Sequence, residues 1–142
     1  MTDFPQDDEY ERRFAGVEKI YGEDAFRQYE QSHVMVIGIG GVGSWAVEAL
    51  ARTGIAELTL IDMDVIAASN INRQLPAMSS TLGREKVEVM AERCHLINPR
   101  IKINVVDDYL TPENVKELLA NTPDVVLDCI DDVKAKLALM LH

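Results

Sequence analysis

Gly38-Ile39-Gly40-Gly41-Val42-Gly43 follows the apolar run His33-Val34-Met35-Val36-Ile37 and precedes Ser44 to Thr53, where Trp45, Ala46, Ala49 and Leu50 recur at helical spacing. A short apolar strand, a glycine turn and a helix form the corner at which nucleotide-binding parallel sheets hold phosphate. The glycines let backbone N–H groups approach phosphate oxygens, and the positive end of the helix dipole favours an anion. Gly38, Gly40, Gly41 and Gly43 are therefore candidate nucleotide-binding positions. The turn alone does not separate a dehydrogenase from an ATP-using enzyme.

Downstream, Gly54 closes that helix and Leu58-Thr59-Leu60-Ile61 reads as a second strand. It ends at Asp62, nineteen residues after Gly43, a spacing that suits a ribose-binding carboxylate. A loop to about Ser80 contains Ser69-Asn70-Ile71-Asn72-Arg73-Gln74. The next helix is expected from about Gly83 to Leu96. It carries Lys86 in its first turn and Val87, Met90, Ala91 and Cys94 on one face, and Asn98-Pro99 ends it. Ile101 to Val106 is a third strand, followed by a helix capped by Thr111 with Pro112 at its first position, burying Val115, Leu118 and Leu119. Val125-Val126-Leu127 is a fourth strand, and a last helix begins near Asp132-Val133. Upstream, residues 1 to 10 read as acidic and aperiodic, before helical patterns near Glu11–Val17 and Asp24–Gln31.

Strands alternating with helices predict the α/β class with a Rossmann-like doubly wound parallel sheet. Two parts are expected: an N-terminal helical arm over residues 1–31 and an ATP-binding Rossmann-like domain over residues 32–142. The chain stops inside a helix just after the fourth strand, so the expectation is the N-terminal part of a larger domain.

The bulk properties narrow the function classes. The 142 residues are 47% apolar, ordinary for one globular domain. Twenty-four acidic against fourteen basic side chains give a formal charge of -10, which disfavours nonspecific attraction to nucleic acid or anionic lipid; an RNA substrate would need a local basic patch. No apolar run approaches the roughly 20 residues of a membrane span, and Met1-Thr2-Asp3-Phe4-Pro5 lacks a secretory pattern. Cys94 and Cys129, both read as lying in regular elements, are too few for a disulfide framework or zinc site. The expected location is cytoplasmic, without membrane contact from this segment.

The arginine-bearing loop points to ATP chemistry. Hydride transfer needs a nicotinamide pocket, whereas attack of a carboxylate on an α-phosphate needs cations that offset the repulsion between two anions. Arg73 and Lys86 are placed to supply them. Read singly, Arg73 would cap its loop and Lys86 would be solvated; their joint placement beside the strand ends favours one cleft. Asp64 is either a helper or a turn residue. Asp131, after the fourth strand, suits magnesium held between protein and phosphates, with capping of the last helix as the rival role for it or for Asp132. Ser69, Asn70 and Gln74 add hydrogen-bonding groups. Trp45 reads as core packing, Cys94 as a buried apolar residue, and His33 and His95 as structural. Cys129 is nearer the expected cleft and lacks a histidine partner.

The glycine turn, Asp62-Met63-Asp64, Asn70-Ile71-Asn72-Arg73-Gln74, Lys86 and Cys129-Ile130-Asp131-Asp132 together resemble the ubiquitin-activating-enzyme-like adenylyltransferase superfamily. Within it, Arg13-Phe14-Ala15-Gly16, Ile20-Tyr21-Gly22, Gly43-Ser44-Trp45, Ala51-Arg52-Thr53-Gly54-Ile55 and Glu88-Val89-Met90-Ala91-Glu92-Arg93 are similar to the tRNA threonylcarbamoyladenosine dehydratase family. The resemblance implies ATP and Mg2+ as cofactors and a tRNA substrate. It implies adenylation of a threonine carboxylate on a modified adenosine, followed by ring closure with net loss of water. It places Gly41, Asn70, Arg73 and Lys86 at the phosphates, Asp62 at the ribose and Asp131 at magnesium. It also implies a homodimer in which Arg13 acts across the interface, and partnership with a cysteine desulfurase and its sulfur acceptor. Three alternatives stand beside it: an adenylyltransferase for a ubiquitin-like sulfur carrier in molybdopterin or thiamine synthesis, an NAD-dependent oxidoreductase, and an inactive nucleotide-binding fragment.

Overall fold

A computed structural model describes residues 7–142; the first six residues of the stretch read as aperiodic lie outside the described residues. The described part of that stretch is helical. Helix α1 runs Asp7–Tyr21 and α2 Glu23–Tyr29, separated by Gly22 at φ +91°. There follow β1 (His33–Ile37), α3 (Gly43–Thr53), β2 (Glu57–Ile61), a 3₁₀ turn (Ala68–Asn70), α4 (Lys86–Ile97), β3 (Lys102–Val106), α5 (Val115–Leu118), β4 (Val125–Asp128) and α6 (Val133–Leu141).

The four strands form one parallel sheet in the order β3-β2-β1-β4. The register pairs Ile37 with both Ile61 and Asp128, and Ile61 with Val106, so all four strands end at one edge. The order reverses between β1 and β4, and the crevice outside such a switch point is where doubly wound sheets bind ligands.

Alternation of side chains along the strands divides the core between the two faces. On one face, Val34, Val36, Leu58 and Leu60 pack against Val47 and Ala51 of α3 and Val87, Met90 and Cys94 of α4. On the other, Met35, Ile37 and Ile61 meet Leu110, Val115 of α5 and Ala135 of α6. Tyr10, Phe14 and Phe26 make a smaller cluster that joins α1 to α2. That cluster meets the sheet domain at Gly54, whose φ of +89° forms the left-handed cap of α3 and whose missing Cβ leaves room for the Phe26 ring.

Three local expectations are corrected. The helix carrying Lys86 starts at Lys86 rather than Gly83, because residues 65–85 fold back as a loop whose Ile66 and Ala77 pack on Val89 of α4. Thr111 caps as expected, its Oγ1 accepting from Asn114 N–H at 3.3 Å and its carbonyl from Val115 N–H at 3.1 Å, but the regular helix α5 begins only at Val115 and ends at Leu118. On α3 the buried residues include Ser44, Val47 and Ala51, while Trp45 stays 52% exposed, so Trp45 is not core packing.

Candidate active site

The aligned strand ends, the glycine turn and the loop after β2 enclose a cleft of about 410 Å³. Its lining includes Gly38, Gly40, Gly41, Asp62, Asp64, Asn70, Arg73, Lys86 and Asp131, gathered from three strand ends, one loop and the first residue of α4. Gly43 stands just behind this lining as the first residue of α3. Arg13 is elsewhere in its own chain, where its guanidinium donates to the Ile97 carbonyl at 3.2 Å and to Glu9 at 2.9 Å.

The glycines are required by contact. A Cβ on Gly43 would lie 1.7 Å from the Gly38 carbonyl oxygen, and one on Gly38 would lie 2.5 Å from that of Cys129. Gly38 also adopts φ +93°. The chain thus turns from β1 into α3 against its own backbone and against the end of β4. Helix α3 has no acidic residue in its first turn, so its positive end is left to an incoming anion. A Cβ on Gly41 would meet the aliphatic part of Arg73 at 3.5 Å, which places that side chain over the turn.

Asp62 ties the turn to β2. Its Oδ2 accepts from Ile39 N–H at 2.7 Å and its Oδ1 from Asp64 N–H at 2.8 Å, and the residue is buried. Each oxygen retains a second lone pair for a hydroxyl donor. Asn70 accepts from Ala67 N–H at 2.9 Å through Oδ1, so its amide nitrogen is the end left for a ligand. Arg73 both caps and lines: its Nη1 donates to the Ser69 carbonyl at 2.9 Å while its stem covers Gly41.

Lys86 is not solvated. It is 5% exposed, opens α4, and its Nζ lies 3.6 Å from Asp64 Oδ2. Asp64 is also held by the Tyr109 hydroxyl, which donates to Oδ1. That hydrogen bond, with smaller contributions from burial and the neighbouring carboxylates, pushes the Tyr109 phenol up to about 12. Sequence patterning gave no warning of Tyr109, because it sits on an irregular segment after β3. Asp131 is exposed in the cleft wall, and the cap of α6 belongs to Asp132, whose Oδ1 accepts from Ala135 N–H at 2.8 Å. Cys129 lies just past β4 rather than inside a regular element, and lines the cleft with its thiol raised mainly by burial.

The fit to a nucleotide can be judged from this lining. The glycine cradle, the α3 terminus and two cations suit phosphates, and a buried carboxylate at the end of β2 suits a ribose. Asp62, Asp64, Asp108 and Asp131 nevertheless outnumber Arg73 and Lys86 among the lining residues. A bound triphosphate would call for positive charge beyond those two. Among the described residues no three His, Cys, Asp or Glu side chains group as a metal site. A divalent ion here would depend on the phosphates and one or two carboxylates, the usual arrangement for magnesium. Gln74, 7% exposed in the cleft wall, has an Oε1 without a hydrogen-bond partner. Among the described residues, no helix is long and apolar enough to cross a membrane.

Comparison with known proteins places this geometry. The ThiF family model matches residues 10–140. The tRNA threonylcarbamoyladenosine dehydratase of Haemophilus influenzae is 56% identical over 135 residues, covering 95% of this chain and 52% of that protein. The molybdopterin-synthase adenylyltransferase of Escherichia coli is 36% identical over 115 residues, covering 81% of this chain and 45% of that protein. The E. coli tRNA N6-threonylcarbamoyladenosine dehydratase TcdA in complex with ATP superposes with a TM-score of 0.92 at 49% identity, over 93% of this chain and 54% of that one. The chain spans about half the length of the curated dehydratases it matches. With the family model covering nearly all of its residues, the chain belongs to the ThiF family.

Proposed function

We propose that this chain supplies the ATP-binding half of a tRNA threonylcarbamoyladenosine dehydratase. The observation that carries the reading is the convergence of the glycine turn, Arg73, Lys86, Asp62 and Asp131 on one cleft at the strand ends. The 56% identity to a dehydratase, against 36% to a molybdopterin-synthase adenylyltransferase, favours tRNA over a ubiquitin-like sulfur carrier as the acceptor.

In this reading the threonine carboxylate of the modified adenosine attacks the α-phosphate of ATP and pyrophosphate leaves. The ring then closes on the activated carbonyl and AMP leaves, so that water is lost overall. Gly38, Gly40, Gly41 and Gly43 admit the phosphates to backbone N–H groups, and Asp62 accepts from the ribose hydroxyls. Asn70 donates to phosphate, while Arg73 and Lys86 offset the charge that accumulates when carboxylate and phosphate meet. Asp131 and phosphate oxygens would hold Mg2+, which supplies charge neutralisation for pyrophosphate departure.

The excess of carboxylates in the cleft supports two further parts of the proposal: magnesium, and a cation from outside the chain. Arg13 of a second copy in a homodimer is that cation, since the arginine does not reach its own cleft. A tRNA acceptor agrees with a cytoplasmic location. A cysteine desulfurase and its sulfur acceptor complete the proposed partners, on the family resemblance alone.

ATP-pyrophosphate exchange with magnesium tests the reading, with threonylcarbamoyl-modified tRNA and a ubiquitin-like sulfur carrier as rival acceptors. Exchange that requires the modified tRNA and is lost in Arg73→Ala is expected. Exchange that requires the sulfur carrier transfers the chain to the other acceptor. ATP binding without exchange under either condition leaves a nucleotide-binding fragment, and binding of NAD in place of ATP removes the adenylation chemistry altogether.

A further inference from the structure

Trp45 is the only tryptophan of the chain, and no part of the chemistry above uses it. It stands in the first turn of α3 with its ring half exposed and its indole N–H turned to the neighbouring loop. Its Nε1–H donates to the Arg73 carbonyl at 3.0 Å. One residue earlier, Ser44 Oγ accepts from Leu75 N–H at 3.3 Å while donating to the Gly40 carbonyl. The first turn of α3 therefore grips the Arg73–Leu75 turn at two points, one on each side of Gln74. Between those points the Arg73 stem crosses Gly41.

The geometry points to Trp45 as a positioning residue that fixes the backbone of Arg73, so that its guanidinium is delivered over the glycine turn rather than left to solvent. An arginine on an exposed loop spends side-chain and backbone freedom when it grips a phosphate. A carbonyl anchored in advance removes part of that cost, which is the gain from preorganisation. Ser44 anchors the far side of the turn through a bond its neighbours hold in place. Trp45 anchors Arg73 itself, through an indole N–H that has no other hydrogen bond among the described residues.

This inference rests on the cleft being an ATP site and is independent of the acceptor. The test measures ATP affinity by calorimetry in the wild type, Trp45→Phe, Arg73→Ala and the double variant, with thermal unfolding as a check on folding. Phe keeps a ring and removes the N–H. Loss of one hydrogen bond of this kind predicts about threefold to tenfold weaker ATP binding in Trp45→Phe. The double variant should bind as Arg73→Ala does, because Trp45 acts only through Arg73. A merely structural role would lower the melting temperature and weaken binding equally in both backgrounds, and additive losses of that kind overturn the inference. So does unchanged affinity in Trp45→Phe. A second variant, Trp45→Leu, removes the aromatic ring as well; if it binds ATP more weakly than Trp45→Phe while Arg73 is present, ring packing rather than the N–H positions the loop, and the inference fails. If the folded wild type binds no ATP, the ATP reading and this inference fall together.

Discussion

The ammonium of Lys86 lies 3.6 Å from the Asp64 carboxylate, on a side chain only 6% exposed, where α4 begins against the end of β2. A nearly buried ammonium is costly to leave with one half-exposed partner, and in the proposed ATP site a phosphate would supply a second. Replacing it with the similarly long, uncharged Lys86→Met is expected to lower the rate of ATP-pyrophosphate exchange by about 10²- to 10³-fold, the usual loss for one preorganised charge donor. Lys86→Arg should restore only part of the rate, because a planar guanidinium on a longer stem does not place its charge where a compact ammonium does. Exchange rates of the two variants, with circular dichroism to verify folding, decide the matter.

Gly43 and Gly16 make a paired prediction. Alanine at 43 would drive its Cβ into the Gly38 carbonyl, which is backbone and cannot swing aside. Gly43→Ala should cost about 1–3 kcal/mol and reopen the turn, with loss of ATP binding. Gly16 is exposed in the interior of α1 with nothing within 4 Å of its Cβ direction. Gly16→Ala should stabilise by about 0.5–1 kcal/mol and leave ATP binding alone. Urea unfolding with calorimetry reads both.

Glu48 joins two helices. Its carboxylate accepts from Arg93 of α4 at 2.6 and 2.9 Å and from Arg52 of its own helix at 2.8 Å. The Arg93 hydrogen bonds hold its pKa below the usual 4.5, against the opposing effect of burial. A carboxylate depressed in the folded state stabilises fully above its unfolded pKa and loses that contribution as pH falls through the folded one. Glu48→Gln should therefore cost about 1.5–3 kcal/mol at pH 7. The gap to wild type should narrow below about pH 4.5 and close once the wild-type carboxyl is protonated in both states. A gap that persists unchanged at pH 3 would assign the loss to packing.

The parallel sheet was legible because β1 and β2 are short, mostly apolar runs ending at glycine or aspartate, and such runs with a glycine turn have few other solutions. The gathering of Asp62, Arg73, Lys86 and Asp131 along one cleft was legible because strand ends in this architecture share one edge. Periodicity does not reveal what lies outside an element. It assigned Trp45 to the core, whereas the loop at Arg73 supplied a hydrogen-bond partner at the surface. It allowed Lys86 to be solvated, whereas the loop at 62–85 folds over α4 and buries it. It gave no sign of Tyr109, whose role depends on a contact 45 residues away in sequence.

The two cysteines separate cleft access from core integrity in one experiment. Cys94 is fully buried on α4, and burial pushes its thiol up to about 12 from an ordinary 9.0. A thiol raised that far stays protonated at pH 8, and the thiolate is the species that alkylates. Cys129 is raised as well, by burial and then by Asp128, but it is only partly buried and lines the cleft. Iodoacetamide at pH 8 should thus label Cys129 slowly and leave Cys94 untouched until the chain unfolds. If ATP occupies the cleft, saturating ATP should slow labelling of Cys129 further, and NAD should not. Peptide mass spectrometry over a time course distinguishes the sites. Early labelling of Cys94 would contradict the packing of α4 on the sheet, and labelling of Cys129 indifferent to ATP would place the nucleotide away from β4.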